Sequence, residues 1–118
     1  SKLMTEVMLA ETSRAHDFNY VALRYFTVAG ADPKGRSGQS TPRATHLIKV
    51  ACETALGQRT HMEVFGTDYP THDGTCIRDY IHVADLISAH VAALDYLRSG
   101  GKSEIFNCGY SKGFSVLE

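Results

Sequence analysis

The stretch Phe65-Gly66-Thr67-Asp68-Tyr69-Pro70-Thr71-His72-Asp73-Gly74-Thr75-Cys76-Ile77-Arg78-Asp79-Tyr80-Ile81-His82-Val83 decides how this chain is read. Met62 to Phe65, apolar but for Glu63, reads as a short strand leading into it. Gly, Pro, Asp and Thr then make a turn-rich loop. From Val83 onward the apolar spacing becomes helical. A strand, a loop and a helix in succession are the repeating unit of an α/β layer. A single arginine, Arg78, stands at the loop's end. Its planar guanidinium can grip two oxygens of an anion at once. The loop's main chain can add N–H donors, and Phe65 can add an aromatic face. Such a loop suits a nucleotide.

Working outward, the helix after the loop runs from Val83 to Arg98, with Leu86, Ala89, His90, Ala93, Leu94 and Leu97 at inward spacing. Ser99-Gly100-Gly101 ends it. Ile105 to Cys108 reads as another short strand. Ser115-Val116-Leu117-Glu118 has the S-x-x-E spacing of a capping box. On the other side, Thr45 to Leu56 reads as a helix stopped by Gly57, and Tyr20 to Phe26 as a mostly apolar, buried parallel strand. Between them Thr27 to Arg43, rich in Gly, Pro, Ser and Asp, reads as a long loop. The first residues are already helical, with Leu3, Val7 and Ala10 on one face. A helix entered mid-pattern and a capping box at the far end lead us to expect a piece of a larger α/β enzyme, truncated at both ends.

Composition narrows the classes. At 118 residues and 43% hydrophobic content the chain has the size and make-up of one folded domain. A net charge of -1 gives no reason to expect nucleic acid or an acidic lipid surface as a partner. No apolar run approaches the roughly 20 residues that a membrane span needs, and no signal-peptide pattern is present. The three cysteines, Cys52, Cys76 and Cys108, have odd number and irregular spacing, which suggests neither a disulfide framework nor a zinc site. A reduced, cytoplasmic protein is the economical reading. His72-Asp73 and Asp79-Tyr80-Ile81-His82 lack metal-ligand spacing, so no metal is expected. No Gly-rich dinucleotide fingerprint occurs.

The motif F-G-x-D-Y-x-T-x-D-G-T-x-x-R-D-Y-I-H-V-x-D-L, met here from Phe65 to Leu86, closely resembles the corresponding segment of the UDP-glucose 4-epimerases. These belong to the extended short-chain dehydrogenase/reductase family. The resemblance runs along essentially the whole chain. It implies a Rossmann-like α/β fold, with residues 1–30 ending the dinucleotide-binding domain and 31–118 forming the UDP-sugar-binding region. It also implies tightly bound NAD, which takes a hydride from C4 of the sugar and returns it to the opposite face of the 4-keto sugar. UDP-glucose and UDP-galactose are interconverted in this way, a step of galactose metabolism. A cytoplasmic homodimer is implied for the parent enzyme.

Site residues follow from the same resemblance. Lys2 matches the lysine of the Y-x-x-x-K pattern, which holds the nicotinamide ribose and lowers the pKa of a tyrosine one helical turn ahead. Arg24-Tyr25-Phe26-Thr27-Val28-Ala29-Gly30-Ala31-Asp32-Pro33 matches R-Y-F-N-x-x-G-A-x-P. There Tyr25 and Phe26 approach nicotinamide and sugar, and Thr27 takes the place of a substrate-contacting asparagine. Thr45-His46-Leu47 matches N-N-L, so His46 and Leu47 are substrate contacts, with His46 replacing an asparagine. Glu63-Val64-Phe65 matches the segment whose main chain reads uracil, and Arg78 matches the diphosphate-binding arginine. Thr27 and His46 keep a UDP-xylose/UDP-arabinose 4-epimerase open as an alternative. A non-catalytic nucleotide-sugar-binding or interaction fragment is the alternative from another class, and the piece alone is expected to be inactive.

Overall fold

Arg24 on the first strand grips Glu6 on the first helix with both ends of its guanidinium, Nε to Oε1 at 2.8 Å and Nη2 to Oε2 at 2.5 Å. This fork joins α1 (Lys2–Ala15) to β1 (Val21–Tyr25) and holds the Glu6 carboxyl below its usual range. At the far end of α1 the Ser13 hydroxyl lies 3.0 Å from that of Ser103, which also accepts the Tyr20 N–H at 3.2 Å. The start of β1 and the start of β4 (Glu104–Cys108) are thereby brought side by side. They pair in parallel, with Leu23 opposite Phe106. The computed structural model describes residues 1–118.

Phe26 alone separates β1 from β2 (Thr27–Ala29), and there the chain passes from one sheet into another. β2 pairs in parallel with β3 (Ile77–His82), with Val28 opposite Ile81. β5 (Gly113–Ser115) lies antiparallel on the other side of β3, with Arg78 opposite Phe114. α2 (Leu47–Ala55) precedes β3 in sequence, and α3 (Val83–Arg98) follows it directly and packs against β1, β2 and β3. The main-chain N–H of Ala84 donates to Nδ1 of His82 at 3.1 Å, so a histidine caps α3. The His82 ring lies over Gly30, where an added Cβ would come within 2.3 Å of it.

Several expectations are corrected. The loop expected from Thr27 begins with a strand, because β-branched Thr27 and Val28 find a neighbour in β3. β3 and β5 were not expected as strands at all. Met62–Phe65 forms no strand, since no other strand lies beside it. Of the inward face expected for α3, Leu86 is buried, Ala89, Ala93 and Leu97 are half-buried, and His90 and Leu94 are exposed.

The core is small. Only five residues are buried, among them Ile81 and Leu86 where β3 meets α3. Leu3, Met4, Val7 and Met8 of α1 stand between 54% and 69% exposed. The radius of gyration is 18.2 Å, against about 13.5 Å for a compact domain of this length. Burial within this stretch alone is therefore too slight to close a full domain core, contrary to what the composition suggests.

Candidate functional site

β3 alternates, so Arg78 and Tyr80, with Cys76 just ahead of the strand, lie to one side and Ile77, Asp79 and Ile81 to the other. The first set lines an open cleft of about 870 Å³. The rest of its lining comes from the entry to α2, with Ala44, Thr45 and Leu47, and from the segment carrying Met62, Glu63 and Phe65. Arg78 sits in this cleft with its Nη1 donating to its neighbour's carbonyl, Ile77 O, at 2.9 Å. The acidic neighbours that could have held it are otherwise placed. Asp79 Oδ1 is buried without a hydrogen-bond partner, and Asp85 accepts the Tyr110 hydroxyl. Burial, and after it the nearness of Cys76, pushes the Tyr80 phenol up from its ordinary value.

The main chain of Met62–Phe65 makes no hydrogen bond with any other main-chain group. Its donors and acceptors, denied a sheet, remain free beside Phe65, which is 79% exposed. An aromatic ring with free main-chain N–H and C=O groups can stack on a planar heterocycle and bond its edge. The guanidinium of Arg78 can take an anionic group attached to it.

The loop ahead of β3 is fastened by its own polar groups. Asp73 Oδ1 accepts the N–H and the hydroxyl of Thr75, each at 2.8 Å, while Oδ2 accepts the Ser115 hydroxyl. The Ser115 bond, then the two from Thr75, hold the Asp73 carboxyl down at about 2. Thr75, with no exposed surface, also accepts the Val116 N–H at 3.0 Å. Gly74 is required inside this knot: its φ is +78°, and a Cβ would come within 2.3 Å of Thr67 O. The Ser115-to-Glu118 capping box is closed, with the Ser115 N–H donating to Glu118 Oε2 at 2.8 Å and the Glu118 N–H to Ser115 Oγ at 3.3 Å.

A second cleft, of about 670 Å³, lies where β1 gives way to β2 and is lined by Phe26, Thr27, Gly30, Gln39 and His46 among others. The His46 ring nitrogen Nδ1 is 2.5 Å from Gln39 Nε2, so the side chain is tied to the loop and does not cap α2. Adjacent His46 and Leu47 thus face different clefts. Leu47, Glu63, Phe65 and Arg78 meet in the first; Phe26, Thr27 and His46 meet in the second. Lys2, Tyr25 and Val64 line neither. Tyr25 instead lies 6.5 Å from the ring of His90. No three His, Cys, Asp or Glu side chains converge as a metal cage.

The sequence pattern that defines the NAD dependent epimerase/dehydratase family matches residues 1–109. The chain belongs to that family. It is 64% identical over all its 118 residues to a UDP-glucose 4-epimerase of Azospirillum brasilense, spanning 34% of that protein. In three dimensions it is similar to a UDP-glucose 4-epimerase from Brucella ovis solved in complex with NAD. The TM-score is 0.93 at 48% identity, over 99% of this chain and 36% of that one. It is also similar to the enzyme from Bifidobacterium longum in complex with NAD+ and UDP, with a TM-score of 0.87 at 37% identity, over 99% of this chain and 35% of that one. The chain thus spans about a third of the length of such relatives. The α/β, Rossmann-like architecture expected from the sequence is that of this epimerase/dehydratase family.

Sequence reasoning missed four contributors to the site. Tyr80 follows from the alternation of Cys76, Arg78 and Tyr80 once β3 is recognised. Asp73 and Thr75 could have been suspected from the D-G-T turn. Arg43, also in the first cleft, had no signal in sequence.

Proposed function

We propose that this chain is the part of an NAD-dependent UDP-glucose 4-epimerase that grips the UDP end of the sugar nucleotide. The observation that carries the reading is the first cleft, where an arginine without a carboxylate partner, an exposed aromatic ring and unpaired main chain share one wall system. In this reading uracil lies against Phe65 and the main chain of Glu63 and Val64, the diphosphate against Arg78, and Leu47 closes the side. The hexose extends toward Thr27 and His46 in the second cleft. That a relative solved in complex with NAD+ and UDP is similar to this chain over 99% of its length supports it.

Lys2, Tyr25 and Phe26 are the residues of this chain that would hold NAD. Tyr25 and Phe26, 46% and 50% exposed, stand at the C-terminal end of a parallel strand, where α/β sheets bind ligands. Two half-exposed rings without full burial fit a planar cofactor. When bound, NAD supplies the hydride acceptor that no side chain here provides. Lys2, exposed at the start of α1, would hold the ribose and favour the ionised form of a tyrosine on the same helix face.

The division proposed for the chain is residues 1–30 with the dinucleotide-binding part and 31–118 with the UDP-sugar region, β4 returning to pair with β1. We further propose a cytoplasmic homodimer. No helix is long and apolar enough to cross a membrane.

The test is an assay of the full-length protein with UDP-galactose, with the UDP-xylose/UDP-arabinose pair run beside it. Formation of UDP-glucose, faster than any pentose conversion, is the expected result. Turnover of the pentose pair alone would reassign the sugar. No turnover of either, in a folded protein loaded with NAD, would overturn the catalytic reading.

A further inference from the structure

We infer that Arg43 is a second cation for the diphosphate, acting with Arg78 in the first cleft. The inference rests on the uridine-diphosphate reading of that cleft. The chain has seven arginines. Five of them, Arg14, Arg24, Arg36, Arg59 and Arg98, lie within ion-pair distance of a carboxylate. The remaining two are Arg43 and Arg78, and both line the same cleft. A guanidinium left without a counter-ion on a protein surface is unremarkable by itself. Two of them at one concave site, when every other arginine is neutralised, point to an anion carrying more than one charge.

The backbone adds an independent observation. Arg43 has φ +55°, in the left-handed region where L side chains with a Cβ are uncommon and Gly, Asn and Asp are favoured. Such outliers persist where the surrounding structure holds them and cluster at ligand sites. Here Ala44, the next residue, is buried, and its carbonyl accepts Arg59 Nη2 at 3.3 Å. Arg59 is itself held by Glu53 at 2.5 Å. The paired arginine thus holds the main chain next to Arg43, and Arg43 itself lines the cleft. Asparagine or glycine would suit this backbone better, so local stability does not account for arginine here. The entry to α2 adds to the field: its N-cap His46 gives no side-chain cap, so main-chain N–H groups there remain open to an anion.

Arg43→Asn separates charge from conformation, because asparagine tolerates the left-handed backbone. The experiment is calorimetric titration of the full-length protein with UDP and with uridine, alongside Arg43→Lys and Arg78→Ala. Arg43→Asn should lower UDP affinity about tenfold, the scale of one charge-assisted hydrogen bond. It should leave uridine binding and the melting temperature unlowered, and Arg43→Lys should recover part of the loss. The salt dependence of UDP binding should also be shallower in Arg43→Asn. UDP affinity within twofold of the parent in Arg43→Asn, with Arg78→Ala impaired, would overturn the role of Arg43 alone. Unimpaired UDP binding in Arg78→Ala, or none in the parent protein, would overturn the reading of the cleft and this inference with it.

Discussion

Ser115 donates its hydroxyl to Asp73 across 42 positions of sequence, and the pair ties β5 to the loop that enters β3. Thr75 reinforces the tie by donating to Asp73 and accepting from Val116. β3 carries Arg78 and Tyr80, so whatever fixes its entry also fixes where those side chains stand. Positioning of the cleft wall is thus a property of three small polar residues that do not face the cleft.

Thr75→Val keeps the shape of the side chain and removes its hydroxyl. The Val116 N–H then loses its acceptor and Asp73 one donor. Leaving a half-buried donor unsatisfied costs about 1 kcal/mol, the low end of the range for buried groups. Urea unfolding of the full-length protein should show that loss. Ser115→Ala should not add to it in full, because both residues share Asp73; full additivity would contradict a common knot.

The Asp73 carboxyl, lowered from 3.8 to about 2, sets a pH dependence. A proton binds more readily to the unfolded chain than to the folded one. The contribution of Asp73 is therefore whole above about pH 4 and is lost as pH falls through about 2. Following the side-chain carboxyl carbon by NMR should give a midpoint near that lower value. An ordinary midpoint would show that the knot is open in solution.

Arg78→Ala in the full-length protein should weaken UDP binding by about 1.5–3 kcal/mol, and Arg78→Lys should recover only part, since an ammonium cannot bond two oxygens in one plane. The readout is UDP affinity with the fold checked by circular dichroism. Equal affinity in Arg78→Ala would remove the arginine from the site.

Cys52, Cys76 and Cys108 are free thiols. Alkylation under denaturing, non-reducing conditions should modify all of them. In the folded protein exposed Cys52 should react first, ahead of half-buried Cys76 and Cys108. A disulfide detected between any two would contradict the structure.

What could be read ahead of the structure follows from where each signal resides. α3 runs from Val83 to Arg98 as expected, because its start, its apolar spacing and its Ser99-Gly100-Gly101 stop are all local. Strands are defined by their neighbours. Thr27–Ala29 and Gly113–Ser115 are too short to stand out, and each becomes a strand only beside β3. Met62–Phe65 has the composition of a strand and lacks the neighbour. The same divide holds for the site. Arg78 and Phe65 are marked by their motif, whereas Arg43 reaches the cleft from a left-handed backbone position that no motif announces.

The free main chain of Met62–Phe65 has a bearing on how this protein tolerates change. A surface that recognises through peptide groups is indifferent to most of the side chains it carries. Glu63 and Val64 can drift through many residue types while the bonding pattern offered to a planar base stays constant. Proline is the exception, because it deletes the N–H. If uracil binds as proposed, selectivity for the base is robust against mutation, and variation in ligand choice arises at the side chains of the neighbouring cleft.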